Sequence, residues 1–538
     1  MKKLQKGQVT KMLKVLDLFA GAGGLSLGFV QTGKFQISAA AENNLYAQQT
    51  YLRNHGDVYM ISDVVGYDFT QLNVDFGGFD VIIGGPPCQG FSNANRQKNT
   101  VVCMNNLLVK EYFRAIKEIR PMAFIMENVS MLQSDIHRFY DTINDHGEIE
   151  KLGVELKDDT IVLSKQEINE IDLLPILQNR TKLERTIFPA KLYTALYLLH
   201  KNRGTKKRLI NYISKYDISI VNQIEDYLSN AEYPSMDFFA DLLRKVQDGL
   251  ARSQDISFYI EQLSLLINCQ KALKMAQEIY RNEIICEFTH KPNTRHIIAR
   301  VKSYSVIDYI NAVLGDDYKQ KGSTINARWY GVPQERWRYI IIGIRADIIG
   351  DKEINMLTEP NIIPNITVSD AISDLEECEV SFDKNAPGVI IPASGNSISE
   401  YAHLLRYQDS LFNHIATETT PEAIKRFKAL KEGENFHKLP KELVESYEKP
   451  ERTQNTIYLR LDSQKYSGTV VNVRKSMWIH PKLDRALTVR EAARLQSFPD
   501  NYIFEGTKDS QYQQVGNAVP PMMANAIAES VFGYLPNN

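Results

Sequence analysis

The run FDVIIGGPPCQGFS, residues 79–92, places a cysteine where chemistry explains it better than packing does. Val81, Ile82 and Ile83 read as a short buried strand, which Gly84, Gly85, Pro86 and Pro87 stop abruptly. Cys88 follows on a rigid loop at the carboxyl end of that strand, the edge where open α/β sheets hold ligands. A thiol becomes a nucleophile when its surroundings stabilise the thiolate, since its ordinary pKa of about 8.5 leaves little of it ionised. A packed core cysteine would need neither the paired glycines nor the paired prolines. Further along, Glu127 closes the apolar run Ala123 to Met126, and GVPQERWRYIIIGIR sets Gln334, Arg336 and Arg338 at alternate positions. Period two predicts these three side chains on one face of an extended segment. A charged edge strand is the competing reading.

Elements that alternate between strand and helix must position these groups. Val15 to Phe19 reads as a strand, Gly21, Gly23 and Gly24 as a turn, and Leu25 to Val30 as the start of a helix. A glycine turn at a helix N-terminus lets the backbone approach a polar ligand. A second strand, Phe35 to Ala41, ends at Glu42, about twenty residues beyond the glycines, where an acid commonly holds a ribose diol. A third, Val58 to Ile61, is followed by Asp63, a candidate partner for an adenine amino group. Together they suggest an adenosine-containing cofactor, although a solvated loop acid remains an alternative at each position.

Composition sets the frame. With 538 residues and 43% hydrophobic side chains the chain exceeds one ordinary domain and can bury a large core. No apolar run suggests a membrane span, and the basic start MKKLQKGQVTKMLK leads into a strand, so neither a signal peptide nor a membrane partner is expected. Cys88, Cys103, Cys269, Cys286 and Cys378 show no metal-ligand spacing, which favours a reducing compartment and no bound metal. A net charge of −2 leaves nucleic acid open as a partner, through local basic patches.

Taken in order, DLFAGAGGLSLGF, Glu42, Asp63, GGPPCQGFS, MENV, GVPQERWRYIIIGIR, RALTVREAARLQSFPD and QVGNAVPP resemble the DNA (cytosine-5)-methyltransferase family of the bacterial restriction-modification type. The resemblance covers residues 13–135 and 300–535. It implies an α/β fold: a Rossmann-like, S-adenosyl-L-methionine (SAM)-dependent methyltransferase sheet with a smaller target-recognition domain. It also implies Cys88 as nucleophile, Glu127 at N3 and the exocyclic amine of cytosine, Arg338 at O2 and Arg336 in support. Phe19, Gly21, Gly23, Leu25, Glu42, Asp63, Val64, Asn517 and Ala518 would hold SAM, and Pro87, Gln89, Gly90 and Ser92 would form a closing active-site loop. Double-stranded DNA is the implied substrate, with the target base flipped out at a cost of a few kcal/mol. A cytoplasmic monomer and a separately acting cognate endonuclease complete the expectation.

The chain departs from the family pattern at Cys103-Met104-Asn105-Asn106, where an acid and an arginine usually stand, and in the length of Asp135 to Arg300. The expected organisation is 1–134 catalytic, 135–300 a helical insertion, 301–345 catalytic again, 346–504 target recognition and 505–538 a catalytic return. Within the insertion, Ile256, Ile260, Leu263, Ile267, Leu273 and Ala276 share one helix face, Ser235 caps another helix, and the basic run Lys201 to Arg208 either touches DNA phosphates or is a solvated helix end. In the recognition region GTVVNV reads as a strand, while Thr488 and Glu491 open a helix. Rival readings are the tRNA-methylating branch, which usually carries a Cys-Phe-Thr segment absent here, a silent scaffold that would lose Cys88, Glu127 or Arg338, and an amino-directed adenine enzyme, which lacks Pro-Pro-Cys.

Overall fold

The computed structural model describes residues 11–87, 105–128, 138–164, 166–204, 206–229, 237–252, 256–391, 398–406, 410–445, 447 and 450–536. Two compact units emerge, one drawn from Met1–Cys88, Leu107–Leu132 and Leu314–Asn538, the other from Gln89–Asn106 and Gln133–Val313. Residues 346–504 therefore belong to the same unit as the catalytic motifs.

In the first unit the apolar runs become β1 (Leu13–Leu18), β2 (Phe35–Ala41), β3 (Tyr59–Ile61), β4 (Val81–Gly84), β5 (Ala123–Asn128), β6 (Tyr318–Asn326) and β7 (Trp337–Arg345). They form a seven-stranded sheet in the order β6-β7-β5-β4-β1-β2-β3. The five strands from β5 to β3 are parallel, with Leu16 opposite Ile82 and Ile82 opposite Phe124, so their carboxyl ends share one edge. β7 runs antiparallel to β5, which brings its amino end, carrying Arg338, to that same edge. Near-continuous apolar sequence in β1, β4 and β5 follows from burial on both faces.

The helices covering the sheet include α1 (Gly24–Gln31), α2 (Leu45–His55), α3 (Phe69–Asp75) and α4 (Asn105–Ile119). From the end of the chain come α5 (Val489–Leu495), α6 (Lys508–Asn517) and α7 (Pro521–Phe532). Met523, Ile527 and Val531 of α7 are fully buried beside Phe29 and Phe35, as their helical spacing requires. The approach of α7 to α1 depends on Gly28, where a Cβ would stand 2.4 Å from the Ala524 Cβ.

Thr488 caps α5 through a capping box with Glu491, as expected. GTVVNV does not form a strand: Val470 and Val473 are buried, but Asn472 caps a short helix, Val473–Ser476. Its buried Val470 and Val473 pack beside Tyr512 and Val515 of α6 instead of pairing in a ladder.

The second unit is a helical bundle that also contains a sheet. Ala190–Lys201, Lys206–Ser229, Asp237–Arg252 and Ile256–Arg281 bury Leu196, Leu243, Leu263, Ile267, Leu273 and Ala276. Ile260 packs against this core at its edge. The expected cap Ser235 lies outside the described residues. Ile297–Ser305 pairs antiparallel with Arg138–Tyr140, Lys157–Val162 and Cys286–His290. These outer strands are short and charged, so neither length nor apolar alternation announced them.

Candidate active site

Leu18 ends β1, and the chain turns at once: Phe19, Gly21 and Gly23 all take positive φ, at 61°, 55° and 80°. Glycine holds that conformation without the cost a Cβ imposes. The turn is pinned from two sides. The Gly21 amide donates to Glu42 Oε2 at 2.9 Å and the Asn44 amide to Oε1 at 2.7 Å, which fixes the carboxylate at the end of β2. From behind, His55 Nε2 lies 3.2 Å from the Gly23 carbonyl and Tyr502 donates to the Ala22 carbonyl, the two side chains meeting at 3.2 Å. A Cβ on Gly23 would stand 2.5 Å from His55 Nε2, whereas one on Gly21 would meet nothing within 4 Å. Gly21 thus borders open space, and Gly23 is packed shut.

A second buried network underlies the turn. Asp17 Oδ2 accepts from Ser26 Oγ at 2.6 Å and from Tyr51 Oη at 3.3 Å, with Ser26 and Tyr51 themselves 2.7 Å apart. Burial pushes the Asp17 carboxyl up to about 7, against the pull of these two hydroxyls. Burial also pushes His55 down to about 4, so its imidazole is neutral at pH 7 and acts through hydrogen bonds, not charge.

Asp63 is exposed at the end of β3, where Oδ1 accepts from the Val65 amide at 3.0 Å. Val64 is buried, its carbonyl taken at 3.2 Å by Arg114 of α4, which also reaches the Tyr67 carbonyl. Leu25 is buried in α1. Asn517 ends α6 exposed, with Oδ1 accepting from Gln513 at 2.8 Å, and Ala518 is buried beside it. The glycine turn, Glu42 and Asp63 thus stand at the carboxyl ends of the adjacent strands β1, β2 and β3.

At the other half of the same edge, Glu127 Oε1 lies 2.6 Å from Arg338 Nε, each side chain about one-seventh exposed (14% and 15%). A Cβ on Gly85 would stand 2.9 Å from Glu127 Oε2, so the carboxylate lies against the Gly85 backbone. The Asn128 amide reaches the Pro86 carbonyl at 3.3 Å, tying the end of β5 to the double-proline segment. Pro87 is the last described residue of this loop; Cys88, Gln89, Gly90 and Ser92 lie outside the described residues.

Gln334, Arg336 and Arg338, at alternate positions, take different partners. Gln334 and Arg336 are fully buried, and only Arg338 reaches the Glu127 carboxylate. The Arg336 guanidinium donates to the Val470 and Gly516 carbonyls, both at 3.0 Å, and Gln334 donates to the Leu495 carbonyl while accepting from the Val470 amide. Burial, then the Arg338 charge, pushes Arg336 down from its ordinary value. Both side chains, just before β7, tie the C-terminal segments around Leu495, Val470 and Gly516 to its amino end. No sequence signal marked His55, Tyr502 or Arg114, whose partners are distant in the chain. Among the described residues no group of three or more His, Cys, Asp or Glu could hold a metal, and no helix is long and apolar enough to cross a membrane.

A family model described as C-5 cytosine-specific DNA methylase matches residues 13–156 and 293–533, most of the chain and every motif described above. The chain belongs to that family. This cytosine-5 DNA methylase is 26% identical to the Type II methyltransferase M.DdeI of Desulfomicrobium norvegicum, over 98% of this chain and 90% of that protein. It is also 26% identical to the DNA (cytosine-5-)-methyltransferase M.ApeKI of Aeropyrum pernix, over 96% of this chain and 97% of the relative. A crystal structure described as a prophage-encoded DNA modification methyltransferase of E. coli shares the fold, with a TM-score of 0.53 at 19% identity, covering 97% of this chain and 99% of that one. The methylase is therefore a C-5 cytosine-specific DNA methylase with a Rossmann-like methyltransferase sheet.

Proposed function

We propose that the methylase transfers a methyl group from SAM to C5 of a cytosine within a specific duplex sequence, by way of a covalent Cys88–C6 adduct on a flipped-out base. The Glu127–Arg338 pair, held at 2.6 Å on the edge that also carries the glycine turn, is the observation on which this reading rests. When bound, SAM supplies an electrophilic methyl on a positively charged sulfur. The residues present fit it: Gly21 borders open space at positive φ, Glu42 is fixed beside it to take a ribose diol, and Asp63 stands exposed one strand on to meet an adenine amine.

C5 of cytosine is a weak nucleophile, and covalent addition at C6 activates it. The Cys88 thiolate forms the S–C6 bond, while Glu127 holds N3 and the exocyclic amine and Arg338 holds O2, where negative charge grows. C5 then takes the methyl, its proton leaves to solvent, and the electrons of the C5–H bond expel the thiolate to restore the aromatic ring. Because Arg338 also contacts Glu127, the pair binds the ring through two groups locked to each other, a preorganisation that costs no rearrangement during reaction. Methylation in a specific context fits protection of host DNA against a separate endonuclease, and the chain acts as a monomer in the cytoplasm.

The covalent step has a direct test. A duplex carrying 5-fluorocytosine cannot lose the C5 substituent as a proton. With SAM it should trap the protein as a species stable to denaturing electrophoresis, absent for Cys88→Ser. No trapped species with a methylated normal duplex would overturn the covalent mechanism.

A further inference from the structure

Within the second unit, the stretch from Glu184 to Asp217 contains no acidic residue between those two, but eight cations: Arg185, Lys191, Lys201, Arg203, Lys206, Lys207, Arg208 and Lys215. The helix Ile256–Arg281 likewise carries Lys271 and Lys274 with no acid between Glu261 and Glu278. The fold brings these two acid-free stretches together. Tyr193 and Tyr197, one turn apart on Ala190–Lys201, stack with ring centres 6.0 Å apart. Lys274 Nζ sits 3.3 Å from the centre of Tyr193, and Lys271 Nζ 5.7 Å from that of Tyr197.

At the end of the same helix, Arg203 Nη1 contacts His200 Nδ1 at 2.9 Å and the His200 carbonyl at 2.8 Å. His200 Nε2 reaches Ser264 on the neighbouring helix at 3.2 Å. Burial first, and then the Arg203 and Lys271 charges, push this imidazole down to about 4, which places both cations in one positive field. Lys191, Lys201 and Arg203 are exposed, and among the described residues no ion pair holds them. The carboxylate that acts on Lys274 is Glu278, one turn along its own helix.

We propose that this face, formed by Lys201, Arg203, Lys271 and Lys274, binds the phosphate backbone of duplex DNA outside the recognised bases. The face has what a sequence-independent contact requires. Its cations come from two helices whose relative position a common core fixes, and the tyrosines hold the lysines through their ring faces, so less side-chain freedom is lost on binding. The rings are engaged by those lysines, which favours the backbone over stacked, single-stranded bases. This inference rests on the reading of duplex DNA as substrate.

The test compares the full chain with Lys201→Glu and, separately, Arg203→Gln/Lys271→Gln, by fluorescence anisotropy on a long duplex of unrelated sequence across a salt series. Lys201 is solvent-exposed, so the first variant keeps the fold, which circular dichroism checks. Removing one cation from a phosphate should lower the slope of log Kd against log salt by about 0.9, and binding at low salt should weaken about tenfold. Unchanged affinity and slope in both variants, with the parent chain binding normally, would overturn this surface alone. A parent chain that binds no duplex at all would overturn the duplex-DNA reading and this surface with it.

Discussion

Glu127 and Arg338 meet at 2.6 Å because β7 runs antiparallel to β5, setting Ile340 opposite Glu127 and Tyr339 opposite Asn128. In a wholly parallel sheet the amino end of β7 would lie at the opposite edge. The reversed strand is thus what delivers a guanidinium to the carboxylate at the strand ends. In the proposed mechanism, removing either partner leaves the ring held by the other alone. Glu127→Gln and Arg338→Ala should each lower kcat by about 10²- to 10⁴-fold while SAM binding changes little. Single-turnover kinetics with calorimetric SAM titration checks this, and loss of SAM affinity with normal single-turnover chemistry would count against it.

Arg336 should behave differently, although it lies two residues away. Its guanidinium satisfies two buried carbonyls, each costing about 1–3 kcal/mol if left without a donor. Arg336→Ala should therefore lower the melting temperature by several degrees, and activity should return in proportion to the folded fraction. An unchanged melting temperature with abolished turnover would make Arg336 part of the chemistry.

The glycine turn gives a paired prediction. Gly23→Ala forces a Cβ to within 2.5 Å of His55 and 2.7 Å of the Tyr502 hydroxyl at a φ of +80°, so both stability and SAM affinity should fall. Gly21→Ala meets no neighbour, and its left-handed backbone costs about 1–2 kcal/mol, so stability changes modestly while SAM affinity drops because the Cβ fills the open space. Glu42→Ala should weaken SAM binding about tenfold or more, because a charge-assisted hydrogen bond to the ligand disappears. Calorimetry on the three variants separates these outcomes.

Asp17 makes stability depend on pH. Its carboxyl titrates at about 7 in the fold against 3.8 ordinarily, so the folded state holds a proton that the unfolded chain has already released. The contribution is favourable below the unfolded value and declines as pH rises between about 4 and 7, by up to roughly 4 kcal/mol at 1.36 kcal/mol per unit. Asp17→Asn should flatten the decline across that window in chemical denaturation. His55, depressed to about 4, loses stability in the opposite direction as pH falls below its ordinary value, and it does so equally in both proteins.

How much of this was legible in the sequence depended on the range of each interaction. Strands β1, β2, β4 and β5 and the acids at their ends follow from local patterns, since apolar runs stopped by glycine, proline or acid carry their own boundaries. The capping box of Thr488 and Glu491 is equally local. The roles of His55, Tyr502 and Arg336 were not legible, because each is defined by a partner far away in the chain. GTVVNV misled for the same reason: its β-branched valines suit a strand, but burial of Val470 and Val473 comes from contacts distant in the chain. The insertion's outer strands, such as Lys157–Val162, exist only because Ile297–Ser305 offers them a ladder.

Methylation of C5 by Cys88 within one short duplex context is tested most directly by cytosine-conversion sequencing. The DNA is genomic, from a methylation-free host expressing this chain, beside a Cys88→Ala control. Cytosines should be protected in a single sequence context and unprotected in the control. A soluble, SAM-binding protein that leaves every cytosine convertible, or a control that still protects them, would contradict the covalent DNA methylation proposed for Cys88.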